Sequence, residues 1–197
     1  MPSGFLIAIE GIDGAGKSTQ ADAVARALEA RGAAVVRSRE PTDGPHGRKI
    51  RATATTGRLP VAEELALFLA DRSEHVRDTI SPALAAGQVV VLDRYYLSTA
   101  AYQGVRGLDP VAIVAQNEAF APRPDLLVIL DLTAAQGLSR VRERAGAADL
   151  FEAKQDLMRC RQIFLDQRGP HVLVLDATEE SEVLTDRIVT EVLARRT

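Results

Sequence analysis

The chain is organised around Gly11-Ile12-Asp13-Gly14-Ala15-Gly16-Lys17-Ser18-Thr19, which matches the phosphate-binding pattern G-x-x-x-x-G-K-[ST]. The apolar residues 5–9 precede it, and residues 20–31, rich in Ala, Leu, Glu and Arg, follow it. A strand, a glycine-rich turn and a helix in this order bring backbone N–H groups and a helix N-terminus to a bound phosphate. Lys17 is expected to reach the β- and γ-phosphates, and the Ser18 hydroxyl to bind Mg²⁺. An ordinary glycine-rich turn is the less favoured alternative, since every position and both flanks agree; we predict that the stretch binds a nucleoside triphosphate.

Composition narrows the class of protein. With 197 residues, 46% hydrophobic and 26% charged, the chain suits one globular domain with a sizeable core. A formal net charge of -3 argues against a dedicated nucleic-acid binder. The single cysteine, Cys160, cannot form an internal disulfide, and no apolar run approaches the length of a membrane span. We therefore expect a soluble cytoplasmic protein with no membrane partner.

Five short apolar runs recur along the chain, separated by stretches of helical character. They are residues 5–9, 33–36, 89–92, 126–132 and 171–175. Runs that are nearly continuous in Val, Ile and Leu are typical of strands covered on both faces. The intervening segments are long enough for right-handed helical crossovers. The prediction is a three-layer α/β domain with a five-stranded parallel sheet.

Polar residues cluster where these predicted strands end. Arg39-Glu40-Pro41 follows the second run and Asp93-Arg94-Tyr95 follows the third, while Asp131 and Asp176 lie at the last two. Ligands of open parallel sheets bind beyond the carboxyl ends of the strands. Arg94, directly after a strand, is therefore expected to contact a phosphate.

A long helix is predicted over residues 60–80, with an apolar stripe made by Val61, Leu65, Phe68, Leu69, Val76 and Ile80. Arg72 lies inside that stripe, and a guanidinium cannot lose its charge when buried. Extension of its head group to the surface, pairing with a core carboxylate and a functional role are all compatible with this pattern. Leu67 projects away from the stripe, which hints at a second covered face, such as one covered by another subunit.

Three tyrosines, two hydroxyl side chains and a glutamine gather after the third predicted strand, in a chain that is only 4% aromatic. They are Tyr95, Tyr96, Ser98, Thr99, Tyr102 and Gln103. Aromatic faces beside amide and hydroxyl groups suit a flat hydrogen-bonding ligand such as a nucleobase. For Tyr95 and Tyr96 we favour the alternative, packing of the helix against the sheet.

An arginine-rich run, Arg140-Val141-Arg142-Glu143-Arg144, ends the helix predicted over residues 133–144. Small residues follow it, which suits a hinged flap, and arginines on a flap could stabilise transition-state charge after closure. A solvated surface run is the competing interpretation, because cations are favoured at helix C-termini.

The three histidines, His46, His75 and His171, show no metal-ligand spacing. We assign them no role from the sequence.

Taken together, these segments resemble one family, the thymidylate kinases, over nearly the whole chain. The resemblance rests on residues 9–19, Arg39-Glu40-Pro41, Leu67-Phe68-Leu69-Ala70-Asp71-Arg72, Asp93-Arg94-Tyr95 with Ser98, Thr99, Tyr102 and Gln103, and Arg123-Pro124-Asp125-Leu126. It implies a single P-loop nucleoside monophosphate kinase domain over residues 1–197, with a lid at about residues 140–152. It also implies transfer of a phosphoryl group from ATP to dTMP, giving dTDP and ADP, with Mg²⁺ as cofactor.

The resemblance assigns roles to individual residues. Phe68 would stack on the thymine ring and Arg72 would hydrogen-bond its edge, with Ser98, Thr99 and Gln103 near the base. Tyr102 would pack beneath the deoxyribose, and Asp13 would accept a hydrogen bond from the 3′-hydroxyl. Arg94 would hold the acceptor phosphate, while Asp93 and Glu40 would help to organise Mg²⁺, waters and the acceptor side.

The family differs within itself in the position of its catalytic arginine, either in the P-loop or in the lid. The P-loop position holds Gly14 here, so the resemblance implies that the catalytic arginine lies in the lid, as Arg140, Arg142 or Arg144. The lid departs from the family pattern at Asp149-Leu150-Phe151-Glu152, which lacks an arginine that Arg159 and Arg161 could replace. The loop after Glu40-Pro41 also departs, reading Thr42-Asp43-Gly44. The family is usually homodimeric, which agrees with the extra apolar face at Leu67.

Two other functions remain open at this point. One is a related P-loop kinase for another deoxynucleoside or nucleoside monophosphate. The other is a non-enzymatic nucleotide switch of the GTPase type, against which the absence of an Asn-Lys-x-Asp motif argues.

Overall fold

The structure is a computed structural model that describes residues 4–145 and 150–196, without the side chains of residues 54–56, 143–145 and 150–153. Its centre is a five-stranded parallel sheet in the order β2-β3-β1-β4-β5. The strands are β1 (Phe5–Glu10), β2 (Val35–Arg39), β3 (Val89–Asp93), β4 (Leu126–Asp131) and β5 (Val172–Asp176). The predicted three-layer α/β fold with five parallel strands is confirmed.

The helices connect the strands and cover both faces of the sheet. They are α1 (Lys17–Glu29), α2 (Pro45–Thr56), α3 (Val61–His75), α4 (Ser81–Ala85), α5 (Tyr96–Gly104), α6 (Pro110–Glu118), α7 (Ala134–Ala145), α8 (Leu150–Leu165) and α9 (Ser181–Arg195). A short π-helical segment, Val76–Ile80, joins α3 to α4. Among the described residues, none of these helices combines the length and apolar character needed to cross a bilayer.

The central strands form the core because helices cover both of their faces. All six residues of β1 are buried, as are all five of β3. Their register pairs Ile9 with Asp93, and Asp93 in turn with Arg39 on β2. The carboxyl ends of the three strands therefore meet, and the chain segments that follow them line one crevice.

Helix α3 departs from its predicted pattern. Val76 and Ile80, beyond its end, are buried, but Val61, Leu65, Phe68 and Leu69 are only partly buried. The buried residues of α3 are instead polar, namely Glu64, Asp71, Arg72 and His75. This helix does not simply cover the sheet with an apolar face. Its buried polar residues form hydrogen bonds to side chains and backbone groups of other segments.

Candidate active site

The loop between β1 and α1 has the backbone of a phosphate cradle. Gly14 and Gly16 have φ angles of 85° and 91°, in the left-handed region that side chains with a Cβ disfavour. Helix α1 begins directly after them at Lys17, so its N-terminal N–H groups face the loop. The sequence-predicted stretch from Gly11 to Thr19 is thus folded as the motif requires.

Lys17 lies inside this cradle with only 6% of its surface exposed. Its Nζ donates a hydrogen bond to the Ile12 carbonyl oxygen at 2.8 Å. Burial, together with the charge of Arg94, lowers the pKa of Lys17 to about 7. A bound polyphosphate would offset both effects, since negative charge favours the ammonium form.

Ser18 and Asp93 form a small oxygen-donor site at the end of β3. The Ser18 hydroxyl donates to Asp93 Oδ2 at 2.5 Å. Asp93 Oδ1 is buried and has no hydrogen-bond partner among the described residues. Hard oxygen ligands with a free carboxylate oxygen fit Mg²⁺, which binds through one or two carboxylates plus phosphates and water. In the described part of the chain no group of three His, Cys, Asp or Glu could hold a metal alone, which is consistent with that mode.

A cavity of about 400 Å³ opens beside the cradle. All nine residues predicted from the resemblance to bind the acceptor line it: Asp13, Glu40, Phe68, Arg72, Arg94, Ser98, Thr99, Tyr102 and Gln103. Arg51, Arg58 and Glu64 also line it, and the sequence offered no periodic or motif signal for them. Tertiary structure thus collects residues from the cradle, the loop after β2, and helices α2, α3 and α5 around one volume large enough for a nucleotide.

Arg94 stands between the cradle and this cavity. Its φ of 70° is unusual for a residue with a side chain, and nearby groups stabilise the conformation. The guanidinium pairs with the Asp13 carboxylate, donates to Ser98 Oγ at 3.2 Å and lies 5.3 Å from the Tyr102 ring centroid. The Arg94 and Lys17 charges outweigh burial and hold the pKa of Asp13 below its ordinary value. A phosphate entering here would meet a cation that is already oriented.

Glu10 supports the Arg94 segment from beneath. Its carboxylate accepts hydrogen bonds from the backbone N–H groups of Tyr95 and Ser98, at 2.8 and 3.1 Å, and from the Ser98 hydroxyl at 2.5 Å. These bonds satisfy the first turn of α5, where helix N–H groups lack partners. Burial raises the pKa of Glu10 to about 7 despite them. Sequence analysis assigned Glu10 no role, since its surroundings come from α5.

Arg72 is held from several sides. It is 1% exposed and its Nε and Nη2 donate to Glu40 Oε2 at 2.8 and 2.6 Å. Thr99 Oγ1 accepts from Nη2 at 3.0 Å and Asn117 Oδ1 from Nη1 at 2.5 Å. Pairing with a core carboxylate, one of the alternatives for this residue, is therefore present. The guanidinium also lines the cavity, so the pairing positions it rather than hiding it.

Glu64 organises the opposite part of the wall. This carboxylate is 2% exposed and accepts from Gln103 Nε2 at 2.7 Å, from Arg58 Nη2 at 3.1 Å and from Arg106. Arg106 also donates to Gln103 Oε1 at 3.1 Å. The amide of Gln103 therefore has a defined orientation at the cavity.

The predicted lid arginines are only partly within the described structure. Arg140 donates to the carbonyl oxygens of Gly14 and Ala177, at 3.3 and 3.2 Å, so it links the cradle to the loop after β5. Arg142 is exposed on α7. Within the predicted lid at about residues 140–152, residues 146–149 and the side chains of residues 143–145, which include Arg144, and 150–152 lie outside the described structure. Arg161 forms a bidentate pair with Asp131, at 2.6 and 2.9 Å, which places it at the end of β4.

Comparisons with known proteins agree with this geometry. The family model described as "Thymidylate kinase" matches residues 9–188, which is most of the chain. The chain belongs to the thymidylate kinase family. It is an enzyme that transfers a phosphoryl group from ATP to dTMP, and the sequence-based expectation is confirmed on this point.

Individual thymidylate kinases from two bacteria are closely similar to the chain. One, from Xanthomonas campestris pv. campestris strain B100, is 52% identical over 181 residues, covering 92% of this chain and 79% of the relative. Another, from Akkermansia muciniphila, is 50% identical over 185 residues, covering 94% of this chain and 89% of the relative. Both are named "Thymidylate kinase". A P-loop kinase for a different acceptor is accordingly not favoured.

Proposed function

We propose that the cradle and the cavity are the donor and acceptor halves of one site for dTMP phosphorylation. ATP would bind along residues 11–19, with Lys17 at its terminal phosphates. The acceptor would occupy the cavity, with Arg94 at its phosphate between the two halves. The observation that carries the proposal is the pairing of Arg94 with Asp13, a residue of the cradle itself, at the mouth of the acceptor cavity.

On the acceptor side, we propose that Phe68 stacks on the base while Arg72 donates to its edge. Thr99 and Gln103 lie in the same wall, with Ser98 behind them beside Arg94. Tyr102 would pack against the sugar, where its ring already faces Arg94. Asp13 would exchange part of its contact with Arg94 for the sugar hydroxyl. Glu40 would act through Arg72. Two hydrogen bonds from the Arg72 guanidinium to Glu40 Oε2 support this role.

For the chemical step, alignment and charge neutralisation are the main demands on the protein. We propose that Ser18 and Asp93 hold Mg²⁺, which would draw charge from the phosphate oxygens when bound. Lys17 and Arg94 would stabilise charge on the transferred group from the two sides. Arg140, Arg142 or Arg144 would supply the remaining positive charge from a lid at about residues 140–152, because Gly14 cannot.

We further propose that residues 1–197 act as a single kinase domain in the cytoplasm and that the active form is a homodimer. The reduced state expected there suits Cys160, which is a buried free thiol. Leu67 is only half-buried on α3, as an interface residue of a dimer would be in one chain.

The test of the site is a coupled ADP-release assay with dTMP, dCMP, AMP and thymidine as acceptors. Wild type should prefer dTMP, and chelation of Mg²⁺ should stop turnover. Arg72→Ala should raise KM for dTMP by about tenfold or more, the size of a lost hydrogen bond from a charged group, with KM for ATP nearly unchanged. Arg77→Ala, at an exposed arginine that pairs with Asp78, is the matched control. An unchanged KM for dTMP in the Arg72 variant would remove that residue from base recognition.

A further inference from the structure

Four side chains form a continuous hydrogen-bonded chain that ends at the acceptor cavity. Ser38 Oγ lies 2.8 Å from His75 Nε2, and His75 Nδ1 lies 3.0 Å from Glu40 Oε1. The other oxygen of Glu40 binds Arg72 at 2.6 and 2.8 Å. The outer end, at Ser38 and His75, faces a second and polar cavity of about 460 Å³ beside β2.

The chain has one consistent direction of hydrogen bonding. Arg72 keeps its charge, so the Glu40 carboxylate paired with it is ionised and can only accept. His75 Nδ1 must then donate to Glu40, and in the neutral ring Nε2 accepts from the Ser38 hydroxyl. His75 is thus a donor aimed at Glu40 by a partner on its far side.

Burial makes this contact matter. His75 and Glu40 are each 5% exposed and Arg72 is 1% exposed. Water cannot replace a lost partner freely in such surroundings, and an unsatisfied buried carboxylate oxygen is costly. Removing the His75 donor would therefore make the carboxylate turn or shift in search of another donor.

Any such movement acts directly on Arg72. Arg72 and His75 are three residues apart on α3, so they lie on one face of the helix with the carboxylate between them. Described residues bind four of the five guanidinium N–H groups, two of them at a single oxygen of Glu40. The direction of the N–H that remains for a ligand on Nη1 therefore depends in large part on how firmly this oxygen is held, with Asn117 and Thr99 as the other two partners.

We propose that His75 is a positioning residue for acceptor recognition, which fixes the Glu40 carboxylate and through it the orientation of Arg72. The inference rests on the proposed role of Arg72 at the acceptor base. It gives a role to a histidine that sequence spacing left without one.

A matched pair of substitutions tests it. In His75→Asn the amide nitrogen can occupy the place of Nδ1 and still donate to Glu40, whereas in His75→Gln the longer chain carries the amide toward Ser38. We expect KM for dTMP to rise about tenfold in His75→Gln and to stay within about twofold of wild type in His75→Asn, with kcat and KM for ATP preserved in both. His46→Gln is the control, since His46 is partly exposed and pairs at 3.5 Å with Glu74, which lines the same polar cavity.

Several outcomes separate this inference from the site proposal. If Arg72→Ala raises KM for dTMP but His75→Gln does not, the positioning role is wrong and the base-recognition role stands. Equal KM values for dTMP in the Asn and Gln variants also overturn it, as does an equal rise in KM for ATP. A lower Tm in both variants with unchanged KM for dTMP would mark His75 as purely structural. If Arg72→Ala leaves KM for dTMP unchanged, the base-recognition role of Arg72, on which this inference rests, fails instead.

Discussion

Single residues set the charges of this site before any ligand arrives. Glu10, Lys17 and Arg72 are buried and Arg94 is partly buried. Each is held by named partners at the cradle or beside the acceptor cavity. Such preorganisation is valuable for phosphoryl transfer, where little covalent chemistry is required of the protein. The same burial disfavours the charged forms, and it raises the pKa of Glu10 and lowers the pKa of Lys17, each to about 7.

The raised pKa of Glu10 predicts how stability depends on pH. Because the pKa is about 7 in the folded protein and 4.5 ordinarily, the folded state binds the proton more tightly. The stabilisation of the folded state that this group contributes is fully present below about pH 4.5 and is lost as pH rises through about 7. Glu10→Gln resembles the protonated form. The free energy of unfolding of the variant, relative to that of wild type, should therefore rise by about 2–3 kcal/mol from about pH 5 to pH 8.

Urea unfolding of both proteins across that pH range measures the difference. Gln can still accept from the N–H groups of Tyr95 and Ser98 through its oxygen, and the Ser98 hydroxyl can turn to accept from its nitrogen. Glu29→Gln, on the exposed face of α1, should show no such trend. A difference between Glu10→Gln and wild type that does not change with pH would contradict the assignment.

At the scale of elements, helix α7 is pressed against the phosphate loop. A Cβ added to Gly137 would lie 2.6 Å from the Asp13 carbonyl oxygen, and one added to Gly14 would lie 2.5 Å from the Gly137 carbonyl oxygen. Gly14 is thus excluded from carrying a side chain by packing as well as by its left-handed φ. The structure gives a physical reason why the P-loop of this chain has no arginine at that position.

Gly137→Ala should therefore destabilise the protein, although Ala usually improves an α-helix by about 1 kcal/mol over Gly. The added methyl group must displace either α7 or the loop, which should lower Tm and raise KM for ATP. Ala135→Ser adds an atom on the exposed side of the same helix and serves as the control. Thermal unfolding and steady-state kinetics decide, and a more stable variant with normal KM for ATP would refute the close contact.

The lid arginines make a second prediction for this helix. In single alanine variants of Arg140, Arg142 and Arg144, at least one should lower kcat by about tenfold or more, as expected for transition-state charge stabilisation. KM for dTMP should remain nearly unchanged, since the acceptor cavity lies elsewhere. Arg77→Ala again reports the effect of losing a surface charge. Wild-type kcat in all three variants would rule out lid catalysis.

On the scale of the whole molecule, strand order decides where the site lies. Because β1, β2 and β3 run parallel, the loops that follow them open at the same edge of the sheet. The strand order makes these three strands neighbours, so the loops lie side by side. Helix α3 stands over that edge with polar residues buried on the side of the cavity. Its partly buried apolar residues, including Leu67, are left to cover another surface.

We expect the chain to elute as a dimer, with twice the 21.2 kDa mass of one chain in light scattering. Leu67→Asp should shift the mass toward the monomer, because a charge in an apolar interface loses its hydration. Val183→Asp, at an exposed valine of α9, should leave the mass unchanged. A monomeric wild type, or a dimeric Leu67 variant, would contradict the homodimer.

The phosphate loop and the five parallel strands could be predicted from the sequence alone, and the acceptor residues implied by the family resemblance line one cavity while their binding roles stay proposals. The central strands β1, β3 and β4 were predictable because runs buried on both faces are continuously apolar, whereas the edge strands β2 and β5 are only partly buried. The loop was predictable because its glycines and lysine are needed at fixed spacing. The boundaries were less predictable: α3 ends at His75 rather than continuing unbroken to residue 80.

The contacts that hold those residues in place depend on how the helices and strands pack in three dimensions. Glu10, Glu64 and His75 drew no functional assignment from the sequence, because the partners that reveal their roles lie 35 to 88 positions away on other elements. Hydrogen bonds between buried side chains depend on how helices dock on the sheet, and no local spacing records that docking. For the same reason the helical pattern alone left several alternatives for Arg72, whose partners Glu40, Thr99 and Asn117 come from other parts of the chain.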